Sequence, residues 1–210
     1  MTKSIENLKW RYATKNFDPN KNLEPQQLEM LAAAFNLTAT SYGLQPCRLI
    51  VVQNTDLQHQ MVPMAFGQRQ VVDAAAVLVI CTTAVDADYV RRYFKRVKDI
   101  RDTSDEVLQP FVDQLTTKFD AMAVEEVEQW ARNQAYITLG TLMNICAQEQ
   151  IDSCPMEGFI PDKIDGLLGL KAKGLKSVLM LPVGYRSAED PFADMKKVRL
   201  PIEKSVEFIH

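Results

Sequence analysis

WARNQAYITLGTLMNICAQEQIDSCPMEGF, residues 130–159, is the stretch whose reading decides the fold. Its first two-thirds reads as one helix. Trp130, Ala131, Ala135, Ile137, Leu139, Leu142, Met143, Ile145, Cys146 and Ala147 cover nearly its whole circumference. A helix that is apolar all round is a buried one, with the rest of a domain built about it. The polar run Gln148-Glu149-Gln150 ends it. Then comes Cys154-Pro155-Met156-Glu157-Gly158-Phe159, where proline fixes φ and glycine admits a close approach by another group. Taken alone, this is a core helix followed by a tight turn.

Downstream, residues 161–168 read as a short helix stopped by Gly169. Residues 177–185 read as a strand, with Pro182 marking a sheet edge or a strand end. Val206 and Phe208 alternate with Ser205 and Glu207, the pattern of a last strand. Upstream, residues 86–119 are charged and irregular in period, and read as one or two helices leaving the core, with a break near Pro110. Residues 74–82 form an apolar run typical of a strand buried on both faces. Residues 48–53 are a second strand, and residues 56–66 a helix kinked or ended by Pro63. Ile5, Leu8 and Tyr12 recur at helical spacing, and Pro25 opens a helix that carries Leu28, Leu31 and Phe35. A hydroxyl-rich loop, residues 38–47, precedes the first strand.

Composition narrows the function. The chain has 210 residues, 47% of them apolar, and a formal net charge of -3. That points to one globular domain over residues 1–210 and away from nucleic acid or an anionic membrane as partner. No run is long and apolar enough to span a bilayer, and the first residues lack the apolar segment of a secretory signal. Four cysteines without paired spacing favour a reducing, cytoplasmic setting over disulfides or zinc. With only two histidines, a His-based metal site or a Ser-His-Asp triad is not expected. No glycine-rich nucleotide fingerprint is present, so a phosphate would have to be held by side chains. Arg11, Lys15, Lys197 and Arg199 suit that role, but they stand at opposite ends of the chain.

Four segments together resemble the nitroreductase family of FMN-dependent oxidoreductases, near its oxygen-insensitive NAD(P)H nitroreductase and flavin reductase branch. They are Arg11 through Phe17 (RYATKNF), Ser41 through Gln45-Pro46, Pro155 through Phe159 (PMEGF), and Lys197 through Pro201 (KVRLP). The resemblance implies an α+β fold: a central, mainly antiparallel sheet flanked by helices, a helical excursion over roughly 86–120, and a C-terminal strand exchanged between the subunits of a homodimer. It implies FMN as cofactor and NADH or NADPH as donor. It also implies ping-pong hydride transfer through flavin N5 to a small acceptor such as a nitroaromatic, a quinone or a flavin. Arg11, Lys197 and Arg199 would hold the FMN phosphate through charge-assisted hydrogen bonds. Lys15 would stabilise charge on the pyrimidine edge of the ring. Tyr12, Ala13, Gln70 and Gln134 match positions around the cofactor. Pro155 and Met156 would pack on the ring, and the backbone N–H of Glu157 or Gly158 would face N5, so no side chain is needed as acid or base. Thr40, Ser41 and Gly43 would come from the partner subunit.

The chain also departs from the family pattern. Cys47 stands where Trp is common, Tyr12 where His is, Ala13 where Ser is, Gln70 where Lys is, and Gly67 where Asn is. Phe111 and Phe119 are both candidates for an aromatic lid. An FMN enzyme of other chemistry (a dihydropteridine, enone or dehalogenating reductase) and a non-enzymatic FMN store or sensor stay open as alternatives.

Overall fold

A computed structural model describes residues 2–210. Its sheet has the order β1-β2-β4-β3, antiparallel throughout, with β1 Cys47–Val52, β2 Ala76–Thr83, β3 Asp152–Ser153 and β4 Leu175–Gly184. β2 is covered on both faces, as its unbroken apolar run requires. The helices are α1 Lys3–Trp10, α2 Pro25–Leu37, α3 Thr55–Met64, α4 Gln70–Asp73, α5 Ala87–Arg101, α6 Asp105–Ala121, α7 Val124–Gln148, α8 Pro161–Leu167 and α9 Ile202–Ser205.

α7 and α2 pack one face of the sheet, where Leu31, Leu139, Leu142 and Cys146 meet Leu78, Ile80, Leu179 and Leu181. α3 and α8 cover the other, where Met61 and Ile164 meet Val77, Val79 and Met180. Each fully buried leucine or isoleucine contributes about 1.5 to 3 kcal/mol of transfer free energy, so these two layers carry most of the stability. A third cluster joins α5 and α6 to the start of α7, with the Phe119 and Trp130 rings edge-to-face at 4.9 Å.

Four expectations need correction. The central helix starts at Val124, not Trp130, because Val127 extends its apolar face and Glu126 reaches back to accept from the Ala123 N–H at 2.9 Å. Nor is α7 buried all round: Ile137 is 48% exposed and Tyr136 is also open, so one stripe of it has no cover within this chain. The excursion breaks at Asp102, not Pro110. Asp102 takes the left-handed conformation at φ 51, which Asp tolerates, while Pro110 sits inside α6. Pro182 marks neither an edge nor an end. It lies inside β4 between β2 and β3, and its carbonyl accepts from the Cys154 N–H at 3.1 Å. Its missing N–H falls on the side of β3, whose ladder is only two residues long, so little pairing is lost.

The tail forms no strand within one chain. Ile202–Ser205 turns into α9, and beyond it Phe208 stands 74% exposed.

Candidate functional site

The two chain ends meet. α1 stops at Trp10, and residues 11–18 run along the sheet edge, with Ala13 bridged to Ser153 and Phe17 to Arg186. The returning tail crosses the same place. One buried carboxylate, Asp190, ties them: it accepts from the Tyr12 hydroxyl (2.9 Å) and from the N–H groups of Lys15 (2.8 Å), Asn16 (3.1 Å) and Phe192 (3.0 Å). Burial works against this charge, but the hydrogen bonds outweigh it and hold the carboxyl below its ordinary pKa. The Tyr12 hydroxyl is pushed up by burial and then by the bond to Asp190, so it stays protonated.

On this scaffold Arg11, Lys197 and Arg199 converge. The Lys197 ammonium donates to the Arg11 carbonyl. Burial lowers the Arg11 pKa, and Arg199 lowers it further; burial, then Arg11 and Arg199, do the same to Lys197. The three cations therefore repel one another, and none is ion-paired with a carboxylate among the described residues. Arg11 Nε is buried and has no hydrogen-bond partner. A buried donor without an acceptor costs about 1 to 3 kcal/mol, which an anion placed there would recover.

A second group lies further along. Lys15 Nζ is 3.8 Å from Cys154 Sγ, and the Gln70 side chain lies beside the same thiol. Next to it runs the 154–159 segment. Met156 exchanges backbone bonds with Met180, and the Ile160 N–H donates to the Met64 carbonyl. Gln68 Nε2 donates to the Gly158 carbonyl at 2.9 Å, and a Cβ on Gly158 would stand 3.0 Å from that same nitrogen, so glycine leaves room for the clamp. The N–H groups of Glu157 and Gly158 have no protein acceptor among the described residues. They are two donors held on a pinned turn. The Tyr136 hydroxyl is raised by burial and then by the Glu157 carboxylate beside it.

Thr40, Ser41 and Gly43 lie elsewhere. The Ser41 N–H donates to Gln134 Oε1 at 2.9 Å, and Gln134 Nε2 donates to the Trp130 carbonyl, which leaves one N–H and one lone pair of the amide unused. Gly43, at φ 71, leaves space for the Tyr93 hydroxyl, 2.4 Å from where a Cβ would stand. Gln134 is more than three turns along α7 from Cys146, the residue beside Arg11, or about 18 Å at 1.5 Å per residue. Within one chain, then, the structure brings Arg11, Lys197 and Arg199 together, and Lys15 and Gln70 together beside the 154–159 turn. It does not bring in the loop at 40–43 or Gln134. The sequence reading missed Asp190, Gln68 and Cys154. Asp190-Pro191 reads as an ordinary turn, and nothing local shows that Asp190 also meets Lys15, 175 residues away.

The profile of the nitroreductase family matches residues 8–185. The chain is 32% identical to the Bacillus subtilis protein YfkO, provisionally named an NAD(P)H nitroreductase, over 99% of this chain and 98% of that protein. It is 29% identical to the oxygen-insensitive NAD(P)H nitroreductase of Salmonella typhimurium, over 93% and 94%. Among solved structures, a nitroreductase-like protein from Streptococcus mutans superposes with a TM-score of 0.86 at 22% identity, over 99% and 98% of the two chains. A protein from Exiguobacterium sibiricum, provisionally named a nitroreductase and crystallised in complex with FMN, gives 0.84 at 20%, over 100% and 98%. At such identities the structural likeness carries the fold alone.

Proposed function

The chain belongs to the nitroreductase family, and on that premise we propose that it is an FMN-dependent NAD(P)H oxidoreductase that reduces nitroaromatics, quinones or flavins. The observation that carries this reading is the uncompensated cation cluster, with the Arg11 Nε donor buried and unpartnered. The relatives' names and the FMN complex of a structural neighbour agree with it. FMN, when bound, would supply the redox chemistry, hydride transfer from NADH or NADPH to the acceptor in a ping-pong cycle.

The chain's own residues bind and orient. Arg11, Lys197 and Arg199 hold the phosphate. Lys15 offers a cation to the pyrimidine edge of the ring, where charge gathers on reduction. Pro155 and Met156 would pack against the ring, and the N–H groups of Glu157 and Gly158 would be the donors offered to N5. Gln68 keeps that turn in place through the Gly158 carbonyl. No side chain has to move a proton for the hydride steps.

The site is completed across a homodimer. The open stripe on α7, the exposed apolar tail beyond Arg199 and the distance of the 40–43 loop from the cation cluster all favour a second copy. In that assembly Thr40, Ser41, Gly43 and Gln134 of one subunit serve the cofactor of the other, and residues 206–210 pair with the partner's sheet.

The test is the cofactor itself. Purified protein should be yellow, dimeric by sedimentation, and hold close to one FMN per subunit. FMN should bind far more tightly than riboflavin, which lacks the phosphate. Equal affinity for the two would remove the phosphate argument, and an FMN-replete monomer would remove the dimer.

A further inference from the structure

Away from the cation cluster, a cavity of about 770 Å³ opens between the α6–α7 corner, the ends of β2 and β4, and α8. That volume suits a small organic ligand. Its walls are apolar where Phe119, Met122, Val127 and Val178 face it. Its inner end is polar. Ser177 and Asp165 are each only 4% exposed. Asp165 Oδ1 accepts the Ser177 N–H at 2.9 Å, which leaves its other oxygen for a donor. Ser177 Oγ is buried and has no partner at all. A buried hydroxyl left without a hydrogen bond costs free energy that a ligand can recover.

The charge balance decides what kind of ligand. Five carboxylates line the cavity (Asp86, Asp120, Glu128, Asp162 and Asp165) against three cations, Arg132, Lys171 and Lys176. Glu128 and Lys176 pair with each other, and Asp86 caps α5 by accepting the Tyr89 N–H at 2.7 Å. Neither leftover cation is paired with Asp165. A buried carboxylate beside an unpartnered hydroxyl presents acceptors, and an ammonium group brings three donors and a positive charge. We propose that this cavity is a second ligand site, for a small amphiphilic organic cation whose ammonium meets Asp165 and Ser177 and whose apolar body lies between α7 and β4. The site is independent of the flavin reading, since none of its residues belongs to the cation cluster or to the 154–159 turn.

The probe is 2-phenylethylammonium, with 3-phenylpropionate as an anion of similar shape, titrated calorimetrically into the protein as purified. The ammonium should bind about tenfold or more tightly than the carboxylate, the difference expected of one charge-assisted hydrogen bond. Its binding should shift the methyl resonances of Val127 and Val178 but not that of Met156, and leave the visible spectrum unchanged. Ser177→Ala should weaken it severalfold, and Met122→Trp, which fills the cavity wall, should abolish it. Asp165→Asn should erase the preference for the cation; if that variant does not fold, Ser177→Ala and Met122→Trp decide. No binding at millimolar probe, equal affinity for both ions, or binding that survives both Ser177→Ala and Met122→Trp would overturn the proposal.

Discussion

Two arginines near the sheet edge are treated in opposite ways. Arg186 lies between the Trp10 and Tyr12 rings, 4.3 and 4.6 Å from their centroids. Its Nε donates to buried Asp152 at 2.8 Å, its N–H to the same carboxylate, and its Nη2 lies 2.6 Å away, within ion-pairing distance though not aligned as a hydrogen bond. Arg11 has no carboxylate among the described residues. It faces Lys197 and Arg199 instead. The first arginine is neutralised by the fold and holds β3 to the strand end after β4. The second is left charged and under-bonded, which a fold tolerates only where something else supplies the anion. A balanced buried charge is architecture, and an unbalanced one is a binding site.

The largest effect should come from breaking the balanced pair. Asp152→Ala strands Arg186, and with a quarter of that side chain still in water the loss should be near the low end for a buried pair, about 3 kcal/mol. Urea unfolding should show the same loss with and without FMN. A loss confined to the FMN-bound protein would move Asp152 into the cofactor site and undo the comparison.

Arg199→Ala should do the reverse. It relieves repulsion on Arg11 and so should not destabilise the FMN-free protein, yet it should weaken FMN by roughly 1.5 to 3 kcal/mol, one charge-assisted hydrogen bond. Fluorescence titration measures this, and unaltered affinity would take Arg199 out of the site. The same cluster sets a pH dependence. Burial and then three like charges, Arg11, Arg199 and Arg186, hold Lys197 below its ordinary 10.5. Its folded pKa is depressed, so charged Lys197 costs the FMN-free fold at neutral pH, and that cost fades as pH rises from the folded pKa to 10.5. A bound phosphate prefers the charged form, so FMN affinity should fall across the same alkaline interval. Affinity that stays flat there would show that Lys197 does not touch the phosphate.

At the other end of the site, Lys15 is also without a carboxylate among the described residues: Asp190 takes its N–H, and its ammonium meets the Cys154 thiol. Gln70→Lys would add a second unbalanced cation there and should raise the two-electron midpoint potential of FMN, by about 30 mV for 1.4 kcal/mol. A potential that does not move would mean that Gln70 points away from the flavin. The smallest effect belongs to Glu157→Gln. If the turn works through its N–H groups, the anaerobic NAD(P)H half-reaction should slow by no more than about tenfold, or 1.4 kcal/mol. A thousandfold loss with FMN retained would make the carboxylate a participant.

Much of this was legible in the chain itself. The residues that carry the proposed chemistry, from Arg11 to Arg199, stand in short segments whose order can be read directly, and the buried strand at β2 and the helix through Leu142 follow from period and apolarity. These are local properties: side-chain chemistry and spacing do not depend on what lies across the fold. Only the tertiary structure decided the balances. That Arg186 is neutralised rests on Asp152, 34 residues away, and a carboxylate has no local mark of which cation it will meet. Ser177 likewise looks like any strand serine until packing buries its hydroxyl beside a cavity with nothing to bond. Sequence determines which charges and donors the chain owns; the long-range packing determines which of them are left unsatisfied, and those are the ones available to a ligand.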